Sequence, residues 1–162
     1  MPTILSHPAV AFGLRPWLRD LSPTVLMAGI IGSILPDADV MGFGYGIPYG
    51  STFGHRGFTH SIVFALIVAA IAAALLRRNR RTFLFVFVCT MSHGLLDAMT
   101  NGGRGVAFFS PFSNHRYFFP WRPIRVSPIA ELDLSVVRAE LLWVWLPCVV
   151  VGVVGAVARR RG

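Results

Sequence analysis

Lysine is absent from this 162-residue chain, and all fifteen basic residues are arginine. Acid is scarce too, with seven Asp and Glu, and 14% of residues are charged. An ordinary soluble domain carries about 25%. Cysteine is limited to Cys89 and Cys148, both inside apolar runs. That placement excludes a disulfide framework or a cysteine zinc site and makes both small apolar fillers. No basic stretch precedes the first apolar residues, so a cleaved signal peptide is not expected. The formal charge of +8 invites nucleic acid, yet the arginines do not interleave with aromatics as a stacking surface requires, and no nucleic-acid partner is expected.

What is present is hydrocarbon. The chain is 54% hydrophobic, its mean hydropathy is +0.63, and the apolar residues are clumped. One domain, 1–162, embedded in a membrane, is the reading. Segments 61–76 and 141–158 approach the ~30 Å of bilayer hydrocarbon at ~1.5 Å per residue. Segment 82–100 begins apolar and ends in SHGLLDAMT. Segment 24–35 is short, with Ser22 as N-cap and Pro23 in the first turn, and stops at Pro36. A further short helix over 8–14 ends near Arg15-Pro16, and forms a hairpin with 24–35. The expected fold is all-α: a multi-pass membrane helical bundle of about four membrane helices with a short N-terminal hairpin. Residues 40–54 and 101–130, rich in Gly, Pro and aromatics, read as loops. Phe108, Phe109, Phe112, Tyr117, Phe118, Phe119 and Trp121 suit the interfacial belt.

The arginines orient this bundle. RRNRR at 77–81 and RRR at 159–161 follow apolar runs, as the positive-inside rule expects of cytoplasmic helix ends. The chain is therefore placed in a bacterial or archaeal cytoplasmic (inner) membrane. The opposite helix ends, facing outward, carry His7, Asp37, Asp39, His55, His60, His93 and Asp97. Asp20, His115, Glu131, Asp133 and Glu140 fall elsewhere. A single histidine at a helix mouth is ordinarily an interfacial hydrogen-bonding residue, and Asp37 could simply end a helix. Seven such groups at one depth are different, because imidazole and carboxylate at membrane depth need compensation. A divalent metal provides it, with Zn, Mn or Fe suited to these ligands. His93 and Asp97, at i and i+4, share one helix face. The number of candidate ligands exceeds one tetrahedral zinc and fits one or two ions activating a water. Asp39 is a further ligand or a general base. Arg56, Arg104, Arg116, Arg122 and Arg125 lie on the outer side against the charge rule, and suit either lipid headgroups or a substrate phosphate.

These motifs resemble a known family. SH at 6–7, LPDAD at 35–39, GHRGFTHS at 54–61, SHGLLDAMT at 92–100 and SPF…RYFFPWRPI at 110–124 resemble, in order, the YdjM-like membrane proteins described as metal-dependent hydrolases, some regulated by LexA. That family is distantly similar to zinc-dependent phospholipase C. The resemblance implies His7, Asp37, His55, His60, His93 and Asp97 as metal ligands. No His-x3-Glu pair follows, so a full three-zinc site is not expected. The expected activity is hydrolysis of a phosphoester in a phospholipid or lipid-linked substrate, with Asp39 and Arg56 as catalytic groups and Arg104, Arg116, Arg122 and Arg125 binding substrate. The alternative is a metal-binding or ion-transporting membrane protein without catalysis. The cytoplasmic helix halves, such as ALIVAAIAAALL, carry no polar pathway and favour a one-sided site.

Overall fold

The computed structural model describes residues 2–18, 21–76, 80–126 and 133–161. Among these the regular structure is helical. Helix α1 spans Ala9–Leu14 and continues as a 3-10 turn, Arg15–Trp17. Helix α2 is Pro23–Ile34, α3 is Ile62–Leu75 and α4 is Arg80–Ala98. Helix α5, Leu134–Glu140, runs through a π-helical turn, Leu141–Trp145, into α6, Leu146–Arg161. Two isolated bridges, Thr100 with Ile124 and Val106 with Tyr117, are the only β pairing among the described residues.

The caps follow the sequence. Ser22 is extended and its side chain accepts from Val25 N–H, with Pro23 in the first turn where no N–H is needed. Ser61 caps α3 by accepting from Phe64 N–H at 3.1 Å. Two boundaries differ from expectation. Pro36 does not stop the chain. It lacks the N–H for an α-helical bond, and the backbone tightens into 3-10 turns over Leu35–Tyr45. These end at Gly46, whose φ of +74° is the left-handed conformation glycine adopts freely. Asp37 and Asp39 thus sit on helical turns rather than in a loop. The last helix begins at Leu134, not at 141, and its π turn ends two residues before Pro147, which cannot bond the carbonyl one turn back.

Helix α4 lies between α2 and α3. Val25, Ala69, Phe85, Val86 and Cys89 fill this core, with Ala11 of α1 at its edge. Small residues bring the backbones close: a Cβ on Gly29 would sit 2.4 Å from a Phe85 ring carbon, and one on Gly32 2.5 Å from Thr90 Oγ1. The expected hairpin is not the main packing of α1. Instead α1 lies along α6, with Gly13 against the Cys148 backbone, Trp17 against Gly155, and Trp17 Nε1 donating to the Val151 carbonyl at 2.9 Å. Residues 19–20 between α1 and α2 lie outside the described residues, as do 77–79 of RRNRR and 127–130 of the second loop.

Two helical stretches are long and apolar enough to cross a membrane, Pro23–Tyr45 and Leu134–Arg161. Ile62–Leu75 is apolar but shorter, about 21 Å at 1.5 Å per residue. Among the described residues, two helices thus qualify by length and apolarity, against the expected count of about four. The exposed valines of α6, among them Val149, Val150, Val153 and Val154, form the lipid-facing surface such a span requires. The 3-10 extension of α2, the start of α3, the end of α4 and residues 101–126 meet at one end. Arg80 and Arg81 begin α4 at the other end, and Arg159, Arg160 and Arg161 close α6.

Overpacking at the α2–α4 contact tests this arrangement. Gly32→Val is expected to cost about 1–3 kcal/mol, measured by thermal unfolding in detergent. Gly44→Ala, which meets nothing within 4 Å, should leave the melting temperature unchanged.

Candidate metal centre

Three elements bring carboxylate and imidazole to one point. The turns after α2 supply Asp37 and Asp39, the 3-10 turn Phe58–His60 supplies His60, and α4 supplies His93 and Asp97. His60 Nε2 lies 3.6 Å from Asp37 Oδ1 and 3.4 Å from Asp97 Oδ2. His93 Nε2 lies 3.3 Å from Asp37 Oδ1 and 4.0 Å from Asp97 Oδ2. One ligand atom from each of Asp37, His60, His93 and Asp97 falls within 4.8 Å of the others, and all four residues are buried. Gly94 makes the approach possible, because a Cβ there would stand 2.8 Å from the His60 carbonyl.

The outer contacts orient the ligands. His93 Nδ1 donates to the Ser33 carbonyl at 2.7 Å, so Nε2 of the neutral ring faces the centre with its lone pair. His60 Nδ1 is 3.2 Å from Asp39 Oδ2, which turns its Nε2 toward Asp37 and Asp97. A carboxylate or carbonyl on the far nitrogen is how metal-binding histidines are held. Asp39 also accepts from His55 Nδ1 at 2.7 Å, from the Arg56 N–H at 3.2 Å and from the Thr59 hydroxyl at 2.6 Å. Asp39, His55 and His60 form a second group of potential ligands. His7, fully buried, stacks on His93 with ring centroids 3.7 Å apart and planes 13° apart.

These residues fit a cation. Both carboxylate oxygens of Asp37 and of Asp97, both ring nitrogens of His7, and Nε2 of His60 and His93 are buried without a hydrogen-bond partner among the described residues. Leaving such groups uncompensated is expensive. Three carboxylates, Asp37, Asp39 and Asp97, face one guanidinium, Arg56, so two negative charges remain for a divalent ion to balance. Burial opposes a charge on His60, but the carboxylates of Asp37, Asp39 and Asp97 packed around it outweigh that and raise its pKa well above the usual histidine value. The same field that holds a proton there attracts a metal ion. His7 is pushed the other way, first by burial and then by His93, which keeps it neutral and fit to ligate.

The expected arginines part company here. Arg56 is 1% exposed. Its Nε faces Asp97 Oδ2 at 3.0 Å, and it donates to the carbonyls of Asp97 and Gly102 and to the Thr100 hydroxyl. Its φ of +60° is unusual for a residue with a side chain. These contacts make Arg56 a support for Asp97, with its donors already engaged, rather than a group reaching for substrate. Arg116 donates to the carbonyls of His55, Gly105, Tyr49 and Ser51 and clamps the loops together. Arg104 lies over the Tyr49 ring and Arg122 over Phe118, while Arg125 donates to Ser135 Oγ. Residues missed in the sequence are Thr59, Thr100 and the Ser33 carbonyl. Small polar residues at helix ends are too common to single out without coordinates.

Fold and site together define an α-helical membrane protein with a buried His–Asp cluster able to hold a metal ion. The chain belongs to the YdjM inner membrane protein family, whose model matches residues 2–161. It is 44% identical over 160 residues to the inner membrane protein YbcI of Escherichia coli K12, covering 91% of this chain and 92% of that protein. No solved structure matches. Family and relative place this chain in the inner membrane.

Removing the orienting carboxylate separates the inner cluster from its support. Asp39→Asn is expected to weaken zinc binding roughly 10–100-fold, while His60→Ala and Asp97→Ala abolish it, read by metal analysis of detergent-purified protein. Full zinc content in all three variants would exclude this cluster as the site.

Proposed function

We propose that this protein is a metal-dependent hydrolase of the inner membrane, acting on a phosphoester in a lipid or lipid-linked substrate. The observation that carries the reading is the set of buried carboxylate and imidazole atoms that lack hydrogen-bond partners among the described residues and converge from three separate elements. Asp37, His60, His93 and Asp97 would hold a divalent ion, with zinc best matched to the mixed histidine and aspartate set, and Mn or Fe also compatible. Such an ion supplies Lewis acidity, polarising a phosphoryl oxygen and acidifying water at neutral pH.

The protein's own residues do the rest. Asp39 accepts the Nδ1 proton of His55, which leaves the other ring nitrogen basic and makes the pair a proton acceptor beside the cluster. In this reading Asp39 acts through His55 rather than as the base itself. Arg56 orients Asp97 through the contact of its Nε with Oδ2. A cavity of about 470 Å³ lined by Leu35, Met41, Ile47, Phe53 and Phe64 has Asp39 and Thr59 in its wall. Its apolar lining with a few polar groups suits the hydrocarbon part of a lipid placed next to the reacting phosphate. The arginine-rich start of α4 and end of α6 lie opposite the cluster, and by the positive-inside rule the cluster faces outward.

Two measurements test this. Purified protein in mixed micelles of phosphatidylethanolamine and phosphatidylglycerol should release headgroup or phosphate, with His60→Ala and Asp97→Ala slower by at least about 100-fold. Equal release by wild type and variants would leave a metal-binding protein without this reaction. For orientation, Tyr45→Cys should react in intact cells with a membrane-impermeant thiol reagent and Arg160→Cys only after permeabilisation; the reverse pattern would put the cluster on the cytoplasmic face.

A further inference from the structure

Glu140 stands apart from the cluster, and nothing above uses it. It ends α5, is 5% exposed, and accepts three hydrogen bonds from one short stretch of chain. The Thr3 N–H donates at 2.5 Å, the Thr3 hydroxyl at 2.6 Å and the Ser6 hydroxyl at 2.5 Å. Ser6 Oγ in turn accepts from Trp145 Nε1 at 3.2 Å. An ionised acceptor makes these bonds stronger than neutral ones, and a carboxylate is an expensive group to bury in an apolar helix. The cost calls for a role.

The segment so held carries His7 as its next residue. His7 stacks on His93, is fully buried, and has both ring nitrogens unpartnered among the described residues. Helix α1 cannot place it alone, since it has six residues and its N-cap, Pro8, makes no side-chain cap bond. The π-helical turn Leu141–Trp145 begins directly after Glu140 and contains Trp145. Both ends of the contact to residues 3–6 therefore lie on this one irregular stretch, and π turns of this kind recur at functional sites.

We propose that Glu140 is a positioning residue of the metal centre: through Thr3 and Ser6 it docks the N-terminal segment onto the last helix and presents His7 as a further imidazole ligand beside His93. This rests on the metal reading above. The last helix, which contributes no ligand, is thereby coupled to the centre.

The test has one arm without metal and one with it. In metal-free protein, His7 should resist diethyl pyrocarbonate, scored by mass spectrometry of its peptide, and should react in Glu140→Ala and in the Thr3→Ala/Ser6→Ala double variant. In cobalt titrations, His7→Ala and Glu140→Ala should each weaken binding roughly 10–100-fold and shift the visible spectrum alike. The combined variant should bind no more weakly than His7→Ala alone, because both changes remove one interaction. Glu140→Gln, which retains an acceptor oxygen, should recover part of both readouts. A Glu140→Ala protein that melts earlier but keeps the wild-type cobalt spectrum and a protected His7 would overturn the positioning role alone. A wild type that takes up no cobalt would overturn the metal reading and this role with it.

Discussion

Three carboxylates buried against a single guanidinium set the terms for the rest of this molecule. Asp37, Asp39 and Asp97 cannot lose their hydration without replacement, and the chain replaces it in three ways. Asp39 is saturated by donors from His55, Thr59 and the Arg56 backbone. Asp97 receives the guanidinium of Arg56. Asp37 receives only two imidazole edges, and Asp97 Oδ1 has no hydrogen-bond partner among the described residues. That inequality separates a supporting carboxylate from two that await a cation.

Much of the remaining structure serves Arg56. A guanidinium at 1% exposure is tolerable only when its N–H groups are met, and they are met by carbonyls of Asp97 and Gly102 and by Thr100. Residues 100–102 are held in turn by the Asn101 N–H to the Ile124 carbonyl at 3.0 Å and by the Thr100–Ile124 bridge. The long aromatic loop is thus more than an interfacial float. It closes over the end of α4 and supplies the backbone oxygens that let an arginine stay buried. Arg116 performs the same service for the turn carrying His55.

How far this was legible in the sequence depends on what each residue's signal rests on. His93 and Asp97 share a helix face by spacing alone, and α4 bears that out. The convergence of HRGFTH and LPDAD on the same pair followed from charge bias and helix direction, which are long-range but simple. The two boundary errors have separate causes: Pro36 forbids the next α-helical bond without saying whether the chain stops or tightens to 3-10, whereas Ser135, Arg138 and Glu140 interrupt the apolar run before 141 although the helix already begins at Leu134. Placing the last helix at 141 left Glu140 outside it and hid a carboxylate whose position inside an apolar helix would have marked it. The hairpin failed for a different reason. Gly13, Gly152 and Gly155 favour a close contact of α1 with α6, and small residues announce closeness without naming the partner.

The engagement of Arg56 changes how the site would meet an anionic substrate. A phosphate approaching three carboxylates and one guanidinium meets net negative charge, and no donor of Arg56 is turned toward it. The rim arginines that remain exposed, Arg104 and Arg122, are braced on Tyr49 and Phe118, so their field reaches the centre screened by solvent. A divalent ion held by Asp37, His60, His93 and Asp97 brings the cluster to neutrality, and only then does an anion gain by entering. In the proposed reading, cation and phosphoester would be coupled through charge: each buried carboxylate that makes the ion bind well would also make the ion necessary for the substrate. That coupling explains why a membrane protein so poor in acids concentrates three of its seven around one point, and why its single buried arginine there is spent on Asp97.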